Sequence, residues 1–317
     1  MDDDPGHAVA EQTRPLIPWA ARLLGVVASL VGCGFVIHAL ASQWDEARGL
    51  LTGAEAGWLT LGWVLAAAAM VAIALPWRTA QRLVGPTLSR FDTVVLYFKG
   101  ELGKYVPGAI WATVGRAELA RRRGLTRIDA YAGVMLSLAG LYLACALVAV
   151  AALLTGVGGS AGKAVWLLMV LPVGMLVLHP RIAGAVLRRL PGTGDVRSTP
   201  SWGEAARLVL LYVPGWIMVA LATTSIARAV TSSVDARQLL LATTLSWLAG
   251  FLVVGAPGGL GVREAVFVSV ASGISDEAAV AVAVLARLAF ITADAAGAGV
   301  AHLARRAGRQ SASSSGP

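Results

Sequence analysis

Residues 239–272 read LLLATTLSWLAGFLVVGAPGGLGVREAVFVSVAS. This stretch is apolar at both ends, interrupted by Pro257-Gly258-Gly259, and followed within six residues by Arg263-Glu264. Whether it crosses a bilayer or enters and returns decides the topology of everything around it, and the flanking charges answer the question. Positive residues concentrate in the cytoplasmic loops of membrane proteins. Arg305, Arg306 and Arg309 follow the last apolar segment, so that segment starts outside, near Asp276 and Glu277. Arg181, Arg188, Arg189 and Arg197 precede the segment Leu208–Ala227, which therefore ends outside. Both ends of 239–272 then lie outside, and the stretch reads as a re-entrant hairpin broken at Pro257.

The rest of the chain supports a membrane environment. Of its 317 residues 57% are hydrophobic and 14% charged, with a mean hydropathy of +0.71. Soluble domains carry roughly a quarter charged residues. The net charge of +8 comes from short basic clusters between apolar runs, which points to loop charge and away from nucleic-acid binding. A helix crosses the hydrocarbon core with about 20 apolar residues. The segments Leu23–Ser42, Gly57–Pro76, Tyr131–Leu154, Leu208–Ala227 and Ala278–Ala301 meet that length, and the shorter Ala164–Leu178 crosses with some thinning or snorkelling. Arg14 and Arg22 place the N-terminus inside, as Arg305 to Arg309 place the C-terminus.

A second interrupted region lies between two basic clusters. Arg78, Arg82 and Arg90 precede Val94–Phe98, and Arg121, Arg122, Arg123 and Arg127 follow Val106–Val114, so both ends are cytoplasmic. The expected fold is an all-α integral membrane domain of six spanning helices and two opposed re-entrant hairpins. Its halves, about 19–158 and 159–302, form an inverted repeat, flanked by an N-terminal segment 1–18 and a basic, Ser-rich tail 303–317. In such repeats, broken segments at equivalent positions mark the binding site. The hairpin breaks are Pro107 and Gly108 in one half, and Pro257, Gly258, Gly259 and Gly261 in the other. Tyr105-Val106-Pro107-Gly108 recurs as Tyr212-Val213-Pro214-Gly215, which lies in an uncharged stretch and reads as a kinked spanning helix.

These runs carry a resemblance. Leu102-Gly103-Lys104-Tyr105-Val106-Pro107-Gly108, with Gly115-Arg116 and the Arg-Arg-Arg-Gly of 121–124, resembles the membrane domain of lysylphosphatidylglycerol synthetases and their stand-alone relatives. The run Ala256 to Glu264, with Arg287 in the last segment, is similar to that family's second signature. The likeness spans about residues 15–305. It implies a flippase-like domain that moves or holds an amphipathic or anionic lipid, here without the soluble aminoacyl-transferase domain, and hence no enzyme.

Charges at membrane depth cost several kcal/mol and face a partner or a wet cavity. Arg287 and Asp294 are seven residues apart, on one helical face. Arg263, Arg287 and Arg116 are the candidate ligands of a lipid headgroup phosphate, since a guanidinium bonds phosphate bidentately. Glu264, Asp294 and Glu118 are the candidate charge partners or proton-exchanging groups. The same residues admit a purely structural role, an Arg–acid pair that locks the last helix to the hairpin. Arg116 near the cytoplasmic edge admits snorkelling, and Glu101 and Lys104 read equally well as interfacial anchors.

No catalytic, metal or cofactor site is expected. His7, His38, His179 and His302 lack ligand spacing, there is no Cys-x-x-Cys, and Cys33 and Cys145 both sit in apolar runs. The glycines at 258–261 are not followed by Gly-Lys-Ser/Thr, so they form no nucleotide loop. An intramembrane transferase using His38 or Glu264 lacks paired acid–base residues. Ala39-Leu40-Ala41 has the small-residue pattern of a signal-peptidase site, but helix one is needed to complete the first half. The expected partner is a membrane lipid, with a separate glycosyl- or aminoacyl-transferase as the alternative reading. The expected location is the cell membrane.

Overall fold

The computed structural model describes residues 53–106, 110–157, 200–252, 259 and 261–314, and every described element is helical. The expected spans Leu23–Ser42 and Ala164–Leu178 lie outside the described residues, as do the breaks Pro107, Gly108, Pro257 and Gly258. The helices are α1 (Ala56–Ala74), α2 (Pro76–Arg82), α3 (Arg90–Glu101), α4 (Trp111–Arg121), α5 (Arg127–Leu153), α6 (Trp202–Val230), α7 (Ala236–Leu252), α8 (Val262–Val270) and α9 (Asp276–Ser314). A 3-10 turn, Leu102–Tyr105, follows α3.

Four helical stretches are long and apolar enough to cross a bilayer: Ala56–Arg82, Arg127–Leu153, Trp202–Val230 and Asp276–Ala304. The first joins α1 and α2. Pro76 does not end it, because at the first position of a helical segment proline's missing N–H removes no needed bond. Pro214 likewise lies inside the continuous α6, in line with the spanning reading of the second Tyr-Val-Pro-Gly. Helix starts follow local chemistry. Ser89 Oγ accepts from Asp92 N at 3.0 Å, Thr126 caps α5 through Asp129 N, and Ser201 with Glu204 forms a reciprocal capping box on α6.

Small residues let these helices approach closely, the usual device of membrane bundles. Gly62 of α1 faces Ile226 and the Ala222 carbonyl of α6, and Gly215 of α6 faces Ile73 of α1. Trp216 Nε1 donates to the Leu141 carbonyl at 2.8 Å, tying α6 to α5, and Trp63 Nε1 donates to Thr292 Oγ1 at 3.0 Å, tying α1 to α9.

Two pairs of short helices fill the space between the long ones. In α3/α4, Gly100 lies against Arg116 and Gly103 against Trp111 and Ala112, so the helices run antiparallel. The 3-10 turn ends at Tyr105 and the next helix starts at Trp111, on either side of the expected break at Pro107-Gly108, which lies outside the described residues. In α7/α8, Gly250 lies against Arg263, and Gln238 Nε2 donates to the Val270 carbonyl at 2.5 Å, again antiparallel. Gly259 (φ +74°) and Gly261 (φ +78°), which lie between α7 and α8 in the chain, adopt a backbone region that favours glycine.

The open ends of the two pairs lie at opposite ends of the bundle. Ser233 Oγ donates to the Gly273 carbonyl, and Glu55 N bonds the Ala229 carbonyl, which puts the α7/α8 ends beside the start of α1. Arg123 pairs with Asp92 at 2.5 Å, and Arg78 Nε donates to the Leu88 carbonyl, which puts the α3/α4 ends beside α2. The 27 residues of α1 and α2 separate these sites by about 40 Å at 1.5 Å per residue.

Candidate functional site

The two short-helix pairs meet with matching chemistry. Tyr97 precedes Gly100 by three residues in α3, and Trp247 precedes Gly250 by three in α7, so each aromatic ring lies one helical turn from its glycine. The glycine leaves room for an arginine from the return helix, which then lies over the ring. The Arg116 guanidinium carbon is 5.1 Å from the Tyr97 centroid, and that of Arg263 is 3.9 Å from the Trp247 centroid. Aromatic-x-x-Gly with a returning Arg therefore occurs once in each pair. The sequence spacing from Gly to Arg differs between them, and the equivalence emerges only in three dimensions.

Neither arginine forms an ion pair with a described residue. Arg116 is buried, with Nε turned to the Ala112 carbonyl at 3.4 Å, so it does not snorkel at an edge. The expected partnership of Arg116 with Glu118 is not formed. Glu118 faces outward to Arg121 (2.8 Å) and Tyr131 (3.0 Å), because two residues along a helix turn a side chain by more than half the circumference. Burial would raise the Glu118 carboxyl, but those two hydrogen bonds and the surrounding arginines hold it below its ordinary value.

Asp294 and Arg287 share a helix but not a partner. Arg287 pairs with Glu264 of α8, locking α9 to the second short pair. The fully buried Asp294 accepts from Lys104 Nζ at 2.6 Å and from the Tyr105 hydroxyl at 2.8 Å, locking α9 to the first. Lys104 also bonds Glu101 Oε1 at 3.2 Å. Glu101 and Lys104 thus lie inside the bundle and are not interfacial anchors. A single sequence gives little warning of this: the contact joins residues 190 apart, and the only hint is a charge beside the Pro107 break.

Arg116, Arg263, Glu101 and Lys104 line one cavity of about 590 Å³, whose walls are otherwise mostly apolar and include Met70, Met135 and Leu138. Lys104, Trp247 and Arg263 also face a second space of about 50 Å³, bordered by Arg287, Glu264 and Thr243. Among the described residues no His, Cys, Asp or Glu cluster could hold a metal ion. Two arginines without ion pairs to described residues, on a largely apolar cavity, are suited to holding an anion whose remainder is apolar.

Comparison with known proteins agrees with the fold. No curated protein matches the chain. The model of one family, the lysylphosphatidylglycerol synthase TM region, matches residues 22–293. Those residues include the long helices up to Ala293, both short pairs, Lys104 and all three candidate arginines; Asp294 is the next residue along. The chain is a multi-pass membrane protein and belongs to the lysylphosphatidylglycerol synthase transmembrane-region family.

Proposed function

We propose that the protein binds an anionic lipid between its two short-helix pairs and carries it across the membrane. The observation that supports this reading is the pair Arg116 and Arg263: two guanidiniums, each over an aromatic face, without carboxylate partners among the described residues, on one largely apolar cavity. Guanidinium does not deprotonate in proteins, so a poorly solvated one calls for an anion. A headgroup phosphate satisfies it, while the acyl chains meet the apolar walls and the surrounding bilayer. Arg287 acts at one remove, because Glu264 already holds it.

In this reading α3/α4 and α7/α8 are re-entrant hairpins entering from opposite faces, and the chain is an inverted repeat of six spans and two hairpins. Both termini are cytoplasmic, and the membrane is the cell membrane. Rocking of the two halves about the central ion pairs exposes the headgroup site to each side in turn. The protein performs no acyl transfer itself. A protein that only presents lipid to a separate glycosyl- or aminoacyl-transferase would share the binding site but not the transport.

The test is translocation of fluorescent phosphatidylglycerol in reconstituted vesicles, read by dithionite quenching. Arg116→Gln and Arg263→Gln should each slow it tenfold or more, and Lys at either position should restore part of the rate, since a point charge replaces the fork. Wild-type rates in both folded Gln variants would overturn the headgroup assignment. Binding without translocation in the wild type would favour the presenting role.

A further inference from the structure

Helix α9 is tied to each short-helix pair by an ion pair, and the two ties are built differently. Arg287 has Glu264 as its one acid among the described residues. On the other side a single ammonium serves two carboxylates: Lys104 Nζ lies 2.6 Å from Asp294 Oδ2 and 3.2 Å from Glu101 Oε1. Glu101 ends α3 and Lys104 belongs to the turn that follows it, so both stand on the same side of the joint with α9. Pulling an ion pair apart in a low-dielectric interior strands both charges. Here one proton on Asp294 avoids that cost, because Asp294 becomes neutral and Lys104 still has Glu101. One turn further along α9, Gly297 lies against the Phe98 ring of α3, an apolar contact that holds no charge in place.

Asp294 is the better proton acceptor of the two acids. It is fully buried and its Oδ1 has no hydrogen-bond partner among the described residues, so its charge is poorly compensated. A proton, unlike a ligand, needs no space beside that oxygen. Its route is the large cavity, where the side chains of Glu101 and Lys104 are 13% and 14% exposed. The other groups around the cluster keep their charge or are already engaged. Tyr105 of the turn donates to Asp294 Oδ2 at 2.8 Å, and α3 adds the neutral Tyr97. Arg116 of α4 and Arg263 of α8 lie over aromatic rings, and Glu264 of α8 is bound to Arg287 of α9 itself. Helix α1 has no ionisable side chain, and Tyr212 of α6 is bonded to Ser137 at 2.6 Å.

Resting on the lipid-carrying reading above, we infer that Glu101, Lys104 and Asp294 form a proton site and that lipid movement is coupled to one proton. A proton taken from solution through the large cavity bonds to Asp294 Oδ1, and Oδ2 becomes a carbonyl oxygen that still accepts from Tyr105. Lys104 keeps its own protons and turns fully to Glu101, which frees α9 from the α3/α4 pair. No other bond is made or broken. An anion held by Arg116 and Arg263 brings negative charge toward the same carboxylates, so lipid and proton each strengthen the binding of the other. A monoanionic lipid and its proton then cross together without net charge.

The experiment places the full chain in phosphatidylcholine vesicles containing fluorescent phosphatidylglycerol, with the membrane potential held at zero by potassium and valinomycin. A pH gradient is imposed and the leaflet distribution is read by dithionite quenching. With one proton per lipid, the fluorescent lipid should accumulate in the leaflet facing the alkaline side by about tenfold per pH unit. An equal sodium gradient should move it nowhere. Asp294→Asn fixes the neutral state and should abolish accumulation, whereas Asp294→Glu should keep it. Glu101→Gln leaves the Lys104–Asp294 pair in place but removes the second acid, and should reduce accumulation several-fold. A wild-type distribution that equilibrates regardless of the pH gradient, or that follows sodium, would overturn the coupling and leave the lipid-carrying reading intact. No lipid movement under any gradient would overturn both. Full accumulation in either folded variant, Asp294→Asn or Glu101→Gln, would overturn the assignment to these carboxylates.

Discussion

Replacing Arg287 with Gln removes the only described partner of the Glu264 carboxylate, and the consequence follows from where the two sit. The Arg287 side chain is 8% exposed and that of Glu264 23%, so the stranded carboxylate recovers only part of its hydration. Removing one partner of a buried pair costs about 3–5 kcal/mol. The partial exposure of Glu264 places this case near the lower bound, about 3 kcal/mol, or roughly a hundredfold in the folding equilibrium. Equilibrium unfolding of the purified protein in mixed micelles, followed by circular dichroism, measures the loss. Adding Glu264→Gln should bring stability back to within about 1 kcal/mol of wild type, because the double variant buries two neutral groups. Adding Asp294→Asn should not, since Asp294 is bound to Lys104 and Tyr105 and its removal is a second, independent loss. Rescue by Asp294→Asn and not by Glu264→Gln would refute the pairing.

Other perturbations test other parts of the structure. Lys104→Met leaves the fully buried Asp294 with the Tyr105 hydroxyl as its one remaining partner among the described residues and should cost about 3–5 kcal/mol in the same unfolding assay, with Asp294→Asn recovering much of it. Gly100→Ala sets a methyl group against the Arg116 side chain and backbone and should destabilise by about 1–3 kcal/mol while weakening lipid binding; Gly115→Ala, with its nearest neighbour 3.7 Å away, should be neutral or stabilising. Single cysteines at Ser89 and Arg123 should react only with reagent on the cytoplasmic side, and those at Gly53, Ser232 and Ser275 only from outside. Labelling of Ser232 and Ser275 from opposite sides would make α7/α8 a true crossing and end the inverted-repeat reading.

The sequence by itself determined the class of the protein and the location of four of its spans. Long uncharged runs have one low-energy solution in a bilayer, a helix that satisfies its own backbone bonds, and α1 with α2, α5, α6 and α9 cover, to within a residue, the apolar segments that announced them. At Gly259 and Gly261 the backbone takes a positive φ, a region that favours the glycines the sequence places there. The family was legible too, from two short runs of residues.

Which charges meet was decided only by the tertiary structure. Helical spacing puts Arg287 and Asp294 on one face, yet two short pairs approach that face from opposite ends, and each takes one of the charges. Glu118 is two residues from Arg116 in sequence and points away from it, whereas Lys104 reaches an aspartate 190 residues distant. The equivalence of Tyr97-x-x-Gly100 and Trp247-x-x-Gly250 was likewise hidden by unequal loops to their arginines. Local sequence fixes the direction in which a side chain leaves its helix. Its electrostatic partner depends on the packing of helices remote in the chain, and in a low-dielectric interior that partner decides whether a charge is a strut or a ligand.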